Sequence, residues 1–228
     1  MPITTVIFDY GCVLSVTPRL EDYEPLRQAT GLDAAAFQET YWRHRDAYDG
    51  DATDVSAYWQ DFGLAMGVTF SPEQIQELVA KDIQIWARTD RVMIEWARVL
   101  RQRGWKTAVL SNMSRSVGDY LRRTAKWLEL FDHLCFSGEL RITKPGAAIY
   151  HVCLEALGVP AGEALFVDDL AVNIAAAQAI GMHGIVFQSA GQLMKELEPY
   201  GLAESLAEAK AVVGRFDGQT ALRRHLAR

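Results

Sequence analysis

The sequence has little of several features that mark particular classes of protein. It contains only three cysteines in 228 residues, Cys12, Cys135 and Cys153, and their spacing fits no metal site. An odd and scattered set argues against a disulfide framework and favours a reducing compartment. No uncharged apolar run is long enough to span a bilayer, and no basic segment followed by an apolar run opens the chain. We therefore expect a cytoplasmic protein with no signal peptide and no membrane partner.

An excess of positive charge is also missing. The chain has 23 Lys and Arg residues against 29 Asp and Glu residues, a net charge of −6, with both signs mixed along its length. This balance lacks the basic stripe of a nucleic-acid-binding protein. Half of the residues are hydrophobic, and the chain is long enough to bury a full core. We expect a globular enzyme with no nucleic-acid partner, as a monomer or a homodimer.

The first candidate for chemistry lies close to the N-terminus. Residues 5–8 (Thr-Val-Ile-Phe) have high strand propensity and lead directly into Asp9. A continuous run of this kind predicts a strand buried on both faces of a parallel sheet. Asp9 would then lie at the carboxyl end of the strand, where open α/β sheets bind ligands. Aspartate is also a common turn residue, so this segment alone leaves a turn or capping role equally open.

Residues 19–87 show the periodicity of helices. Asp33 is a candidate N-cap for a helix that ends at residues 49–50, and Thr53 is a candidate start for the next helix. Residues 71–74 (Ser-Pro-Glu-Gln) combine an N-cap serine, a proline in the first turn and a capping-box glutamine. We therefore predict a compact helical unit inserted after the first strand.

From about residue 90 onward, helical and strand-like segments alternate. The strand-like segments are residues 107–110, 134–136, 164–167 and 184–187. This alternation predicts βαβ units and a parallel sheet. The predicted fold is α/β, a Rossmann-like parallel-sheet core at residues 1–15 and 88–228, with an all-helical cap inserted at residues 16–87.

Several polar residues follow the predicted strands or lie in loops at the same edge of the sheet. They are Asp9, Ser111, Asn112, Lys144, Asp168 and Asp169. Because the strands of a parallel sheet point the same way, groups far apart in sequence can converge at this edge. Carboxylates suit Mg²⁺, which prefers oxygen ligands, and one of them can also act as a nucleophile. A hydroxyl, an amide and an ammonium can hold the oxygens of a phosphoryl group.

Four segments of the chain resemble the sequence motifs of the haloacid dehalogenase (HAD) superfamily of hydrolases. They are residues 8–14 (FDYGCVL), residues 110–112 (LSN), residues 144–145 (KP) followed by Ile149 and Tyr150, and residues 166–169 (FVDD) followed by Asn173 and residues 181–182. The helical insert is similar to the α-helical cap of the phosphatase-like subgroup, through residues 43–48 and 58–59. The resemblance covers nearly the whole chain.

The resemblance implies a Mg²⁺-dependent phosphatase that hydrolyses a small phosphorylated metabolite, a phosphomonoester. Asp9 would attack phosphorus and form an aspartyl-phosphate that water then hydrolyses. Ser111 and Lys144 would complete the catalytic set by holding phosphate oxygens, and Lys144 would offset repulsion between two anions. The active site would lie between the core and the cap, and movement of the cap would exclude water.

The resemblance also implies a metal site and a substrate site. Mg²⁺ would be held by Asp9, by the backbone carbonyl of Gly11 and by Asp169, with Asp168 acting directly or through water.

Substrate contacts are expected from the loop that contains Gly11 and Cys12, from Asn112, and from Arg45 in the cap. Arg45 has an alternative, which is to pair with a neighbouring carboxylate. Cys12 is either a reactive thiol beside the nucleophile or a small residue that fills a tight loop.

Gly11 departs from the family pattern. Most phosphatases of this family carry a second Asp at this position, which protonates the leaving oxygen and later activates water. General acid–base help is typically worth ~10²–10⁴-fold. One alternative is that another residue supplies the proton, with His44 and Asp46 as candidates. A second is that the substrate has a good leaving group. A third alternative is a catalytically weak protein that binds phosphate in a regulatory role.

A metal-independent 2-haloacid dehalogenase is the alternative enzyme. Members of the family with that activity also lack the second Asp, because a halide leaves without a proton. Their fourth motif resembles Ser-Ser-Asn, whereas this chain has Asp168 and Asp169. These carboxylates would crowd negative charge beside Asp9 unless a cation lies there, because like charges disfavour mutual ionisation. The acidic pair therefore favours the phosphatase.

Overall fold

The computed structural model describes residues 2–65 and 67–226, and within them five strands form one sheet in the order β3-β2-β1-β4-β5. The strands are β1 Thr5–Phe8, β2 Lys106–Ser111, β3 His133–Phe136, β4 Ala164–Asp168 and β5 His183–Val186. Every neighbouring pair is parallel. The predicted α/β class with a Rossmann-like parallel sheet is confirmed. Residues 1, 227 and 228 of the predicted core and residue 66 of the predicted cap lie outside the described residues.

The first strand is the centre of the sheet. All four of its residues are buried, and Phe8 lies opposite Val109 of β2 on one side and Val167 of β4 on the other. The Asp9 amide then donates a hydrogen bond of 2.9 Å to the Val167 carbonyl. Ser111 and Asp168 are the last residues of β2 and β4. The register therefore brings the carboxyl ends of three adjacent strands to one edge.

Between the first two strands, the described residues form six α-helices. They are α1 Leu20–Thr30, α2 Ala34–Arg43, α3 Arg45–Asp49, α4 Val55–Ala65, α5 Pro72–Trp86 and α6 Arg91–Gln102. The first five form the helical insert, whose buried aromatic side chains pack together. The two connections to the sheet run side by side, because Val16 and Asp90 donate to the carbonyls of Arg88 and Leu14. The domain boundaries at residues 15–16 and 87–88, and a role for the insert as a cap, stay predictions.

The helix starts inside the insert follow the local capping chemistry. The capping box at Ser71 is confirmed, with Gln74 and Ser71 each donating a backbone N–H to the side chain of the other. Asp33 caps α2 as predicted. The predicted continuous helix to residues 49–50 is wrong, because the backbone leaves helical geometry at His44. The start at Thr53 is also wrong, since the carboxylate of Asp54 accepts the free N–H groups of the first turn of α4.

Helices cover both faces of the sheet. After α6 they are α7 Arg115–Thr124, α8 Ser137–Leu140, α9 Ala147–Leu157, α10 Ala171–Ala179, α11 Ala190–Glu196 and α12 Ala203–Leu226. Val6 and Phe8 pack with Trp96 of α6 on one face, while Ile7 packs with Ile149 of α9 on the other. This alternation is the period-2 geometry of a strand buried on both sides.

The length and composition of the described helices can be compared with those of a membrane-spanning helix. None of them, within residues 2–65 and 67–226, combines the length and the apolar character that crossing a bilayer requires. The cytoplasmic location and the monomeric or homodimeric state stay predictions.

Candidate active site

A tight turn follows the central strand and carries the predicted nucleophile. Asp9 caps this turn, Tyr10–Leu14, by accepting the Tyr10 N–H at 2.7 Å. The backbone of Cys12 has a φ of +56°, which is uncommon for a residue with a side chain. Such a conformation persists only where the surrounding structure holds the backbone in place. The Cys12 N–H donates to Ser15 Oγ at 3.0 Å. The turn therefore holds the Asp9 carboxylate at the end of β1.

Lys144 joins two of the carboxylates. Its Nζ lies 2.9 Å from Asp9 Oδ1 and 2.6 Å from Asp168 Oδ2, and all three side chains are buried. Burial by itself disfavours the ammonium, but the charges of Asp9 and Asp168 outweigh it and raise the pKa of Lys144 above its ordinary value. Lys144 is therefore a fixed positive charge beside the predicted nucleophile.

Asp168 is held from several directions. Its Oδ1 accepts the Leu170 N–H at 2.8 Å, and the Asn173 amide reaches both carboxylate oxygens at 3.0 and 3.1 Å. Together with the Lys144 ammonium, these donors occupy both oxygens of a fully buried carboxylate. The contacts make Asp168 the residue that positions Lys144.

Negative charge exceeds positive charge at this edge of the sheet. Oxygens of Asp9, Asp168 and Asp169 all lie within 4.8 Å of one another. Burial and the neighbouring Asp168 raise the pKa of Asp9 to about 7, although Lys144 lowers it. Burial and Asp168 also raise the pKa of Asp169. Three hard oxygen donors with one ammonium fit a divalent cation such as Mg²⁺, because its charge would balance the excess.

The residues after β2 support the same centre. The buried Ser111 side chain lies close enough to Asp9 to lower the pKa of that carboxyl. The Asn112 side chain donates to the Lys144 carbonyl at 2.9 Å and accepts the Lys144 N–H at 2.9 Å. Ser111 thus acts on Asp9 of the first motif, and Asn112 is hydrogen-bonded to Lys144 of the third motif.

A cavity of about 240 Å³ lies between the sheet edge and the helical insert. The core contributes Asp9, Tyr10, Gly11, Cys12, Asn112, Met113, Val117, Lys144, Asp169, Leu170 and Asn173, and the insert contributes Trp42, Arg45, Asp46, Asp49 and Trp86. The predicted substrate residues therefore surround one space with the predicted nucleophile. Their roles stay predictions.

Arg45 lies in the cavity wall but is engaged by carboxylates. Its Nε contacts Asp49 at 2.9 Å, and its Nη1 contacts Asp82 at 2.8 Å and the Tyr41 hydroxyl at 2.6 Å. The side chain is buried, and the guanidinium lies over the rings of Tyr41 and Tyr48. Of the two alternatives for Arg45, the pairing with neighbouring carboxylates is present, and substrate binding stays a prediction.

The cavity also contains a carboxylate that is not among the residues predicted from the sequence. Asp49 lines it, whereas of the two predicted proton donors Asp46 lines it and His44 does not. Burial raises the pKa of Asp49 to about 6, although Arg45 lowers it. The spacing of Arg45 and Asp49, four residues on one helix, was the signal that could have found this pair.

The surroundings of Cys12 disfavour an activated thiol. Burial and the charge of Asp169 raise the pKa of Cys12 to about 11. A thiol with a raised pKa stays protonated at neutral pH and is a weak nucleophile. Of the two alternatives for Cys12, the raised pKa favours the small residue of a tight turn, and its role stays a prediction.

Comparison with known proteins agrees with the fold and the motifs. A family profile described as haloacid dehalogenase-like hydrolase matches residues 3–181. The chain belongs to the haloacid dehalogenase-like hydrolase family, and it is a HAD-like hydrolase.

Sequence relatives differ widely in length. The chain is similar to the phosphatase MT3486 of Mycobacterium tuberculosis, with 30% identity over 200 residues, 84% of this chain and 90% of that protein. It is also similar to mouse acyl-CoA dehydrogenase family member 10, with 34% identity over 109 residues. That match covers 47% of this chain but only 10% of the mouse protein.

Solved structures share the fold. The HAD family enzyme bt-2542 of Bacteroides thetaiotaomicron has a TM-score of 0.68 and 18% identity over 82% of this chain and 95% of its own. The L-2-haloacid dehalogenase of Xanthobacter autotrophicus has a TM-score of 0.62 and 18% identity, over 92% of this chain and 88% of its own. At these identities the likeness concerns the fold alone. A sequence relative is named a phosphatase and a structural neighbour is a dehalogenase, so the residues of the site must distinguish the two activities.

Proposed function

We propose that the protein is a Mg²⁺-dependent phosphatase that hydrolyses a small phosphomonoester through an aspartyl-phosphate on Asp9. The observation that carries this proposal is the buried Lys144 ammonium, 2.9 Å from Asp9 and 2.6 Å from Asp168, with the Asp169 carboxylate beside them. The similar protein of M. tuberculosis is named a phosphatase, and bt-2542 has been solved in complex with magnesium and inorganic phosphate. The name of the first protein and the ligands bound to the second both support the proposal.

The proposed reaction has two displacements at phosphorus. In the first, a carboxylate oxygen of Asp9 forms a bond to phosphorus while the ester P–O bond breaks, and the departing alcohol oxygen takes up a proton. In the second, water attacks phosphorus, loses a proton, and releases inorganic phosphate and the Asp9 carboxylate. Lys144 and the Ser111 hydroxyl hold phosphate oxygens in both steps, which reduces the repulsion between the two anions.

The residues that would hold Mg²⁺ are Asp9, Asp169 and the Gly11 carbonyl. Asp168 would act through water, because its oxygens already accept hydrogen bonds from Lys144, Leu170 and Asn173. When bound, the ion would neutralise charge on the nucleophile and the phosphoryl group and would favour the ionised form of Asp9.

The cavity walls favour an alcohol part without negative charge. Among the described residues that line the cavity, both cations, Arg45 and Lys144, already have carboxylate partners. A second anionic group on the substrate would meet Asp46 and Asp49 and find no free cation. The indole rings of Trp42 and Trp86 offer apolar surface instead.

A phosphatase assay with and without metal tests the proposal. We expect the purified protein to release phosphate from 4-nitrophenyl phosphate and from neutral alkyl phosphates with Mg²⁺, and to stop when the metal is chelated. Asp9→Asn should abolish turnover while the protein stays folded. Chloride release from 2-chloropropionate without metal would instead identify a dehalogenase. Phosphate binding without turnover of either substrate class would identify a regulatory module.

A further inference from the structure

The proposed reaction leaves one chemical task without a residue. The departing alcohol needs a proton, and Gly11 has no side chain with which to supply it. An alkoxide is a poor leaving group, so an alkyl ester gains most from a general acid. The donor must therefore lie elsewhere in the cavity that contains Asp9.

Asp49 meets the positional requirement. It is the last residue of α3 and lines the same cavity as Asp9, on the wall formed by the insert. Its side chain is only 14% exposed, and the Arg45 Nε contacts both carboxylate oxygens, at 2.9 and 3.1 Å. These contacts fix the orientation of the carboxyl group.

The backbone around Asp49 is tied to the core loops of the site. The Ser137 hydroxyl donates a hydrogen bond of 2.5 Å to the Asp49 carbonyl. Its oxygen, Ser137 Oγ, in turn accepts the Met113 N–H at 2.9 Å. Met113 directly follows Asn112 and lines the cavity. On the other side, a Cβ at Gly50 would lie 3.0 Å from the Thr143 methyl group, next to Lys144. Asp49 is thus held against the loops of the second and third motifs.

We propose that Asp49 is the general acid and base of this site and takes the place of the acid absent at Gly11. In the first displacement its carboxyl proton passes to the ester oxygen as the P–O bond breaks. In the second, the Asp49 carboxylate takes a proton from the attacking water as the new P–O bond forms. The proton balance closes over one turnover, with no further reactant. This inference depends on the proposed phosphatase function.

The electrostatic surroundings suit a group that both gives and takes a proton. The charged groups that face Asp49 are Arg45 on its own helix, Asp82 on α5, and Asp46. Burial, Asp82 and Asp46 raise the pKa of Asp49 and Arg45 lowers it, with the result at about 6. A general acid–base works best when its pKa lies near the working pH. Asp46, by contrast, is exposed.

A comparison of leaving groups tests this role. 4-Nitrophenol leaves readily as an anion, whereas a simple alkyl alcohol needs a proton. We expect Asp49→Asn to lower kcat/KM for an alkyl phosphate by ~10²-fold or more and to change kcat/KM for 4-nitrophenyl phosphate only slightly, because kcat/KM depends on the steps up to departure of the alcohol. Asp49→Glu keeps a carboxylate for Arg45 but displaces it, so we expect a smaller loss that is again selective for the alkyl ester. This variant also serves if Asp49→Asn does not fold.

Gly11→Asp offers a rescue. A Cβ at residue 11 would have only Trp86 Cζ3 within 4 Å, at 3.8 Å, which is an ordinary contact. In the Asp49→Asn background, Gly11→Asp should therefore restore much of the alkyl phosphate activity.

Three outcomes would overturn the inference. They are an equal loss of kcat/KM on both substrates in Asp49→Asn and Asp49→Glu, no loss of kcat/KM on either substrate, and an alkyl-selective loss of kcat/KM in Asp46→Asn in place of Asp49→Asn. Metal-dependent turnover of 4-nitrophenyl phosphate that requires Asp9 would show that the proposed function still holds in those cases. Absence of such turnover in the wild type would contradict the proposed function itself.

Discussion

Asn112 and Lys144 are joined by two hydrogen bonds that run in opposite directions, each 2.9 Å long. The Asn112 amide nitrogen donates to the Lys144 carbonyl, and its oxygen accepts the Lys144 N–H. The pair locks the loop that carries Lys144 to the end of β2. It also uses both polar atoms of a side chain that the sequence predicts to bind substrate. Asn112 therefore has a positioning task, whatever it contributes to substrate binding.

The first prediction concerns this pair. Asn112→Ala leaves the backbone N–H and carbonyl of Lys144 without their partner, which costs ~1–3 kcal/mol of the free energy of unfolding if the groups stay buried. Because the Lys144 loop loosens, we expect kcat to fall. Urea unfolding and steady-state kinetics measure the two effects. Gln102→Ala removes an exposed amide at the end of α6 and is the control, for which neither quantity should change. An unchanged kcat in Asn112→Ala would contradict the positioning role.

The second prediction concerns Asp168. Asp168→Asn removes one of two carboxylate partners of a buried ammonium and places an amide where Lys144 and Asn173 both donate. Breaking a buried ion pair from one side costs ~3–5 kcal/mol. We expect a lower unfolding midpoint and loss of phosphatase activity in the presence of Mg²⁺.

Asp61→Asn is the matched control for Asp168→Asn. Asp61 is an exposed carboxylate on α4, so its replacement should leave stability and activity unchanged. If Asp168→Asn kept wild-type activity, Asp168 would not be needed to hold Lys144.

The third prediction separates the two arginines at the junction of α2 and α3. Arg45→Met leaves Asp49 and Asp82 without their buried cation, and we expect a loss of ~3–5 kcal/mol in the free energy of unfolding. Arg43 is 54% exposed and pairs with Glu39 at the surface, so Arg43→Met should change stability little. Equal unfolding midpoints for the two variants, measured in urea, would show that the buried network does not stabilise the insert.

Much of the site could be predicted from local sequence because parallel topology is a strong constraint. The apolar run before Asp9 and the alternating segments after residue 90 predict parallel strands, and such strands deliver their terminal residues to one edge. Ser111 and Asp168 end their strands at that edge for this reason. The helix start at Ser71 was equally predictable, because a capping box depends on four consecutive residues.

Other features depend on distant contacts and could not be predicted. The pairing of Asn112 with the Lys144 backbone joins residues that are 32 positions apart. The burial of Asp49 requires the insert to pack against Ser137 at the start of α8, which lies 88 positions further along the chain. The break in the helix at His44 could not be predicted either. Asp33 predicts where the helix begins, but no residue near His44 predicts the interruption.

The last prediction concerns the pH dependence of stability without metal. Asp9 has an ordinary pKa of 3.8 when unfolded and about 7 in the folded protein. Between these values the folded state holds more protons than the unfolded state, so stability falls as pH rises. The slope is at most ~1.4 kcal/mol per pH unit for one group. Below about pH 4 the contribution is fully present, and it is lost as pH rises through about 7.

Urea unfolding in a chelator, for the wild type and Asp9→Asn, isolates this contribution. The wild type should lose stability relative to Asp9→Asn as pH rises from about 4 to 7, because asparagine does not ionise. Mg²⁺ added at neutral pH should stabilise the wild type more than the variant, since the cation binds the ionised carboxylate of the folded state. A difference between the two proteins that stays constant with pH would mean that Asp9 is already ionised without metal. The crowding of Asp9, Asp168 and Asp169 would then not require a cation, and no electrostatic reason for Mg²⁺ would remain.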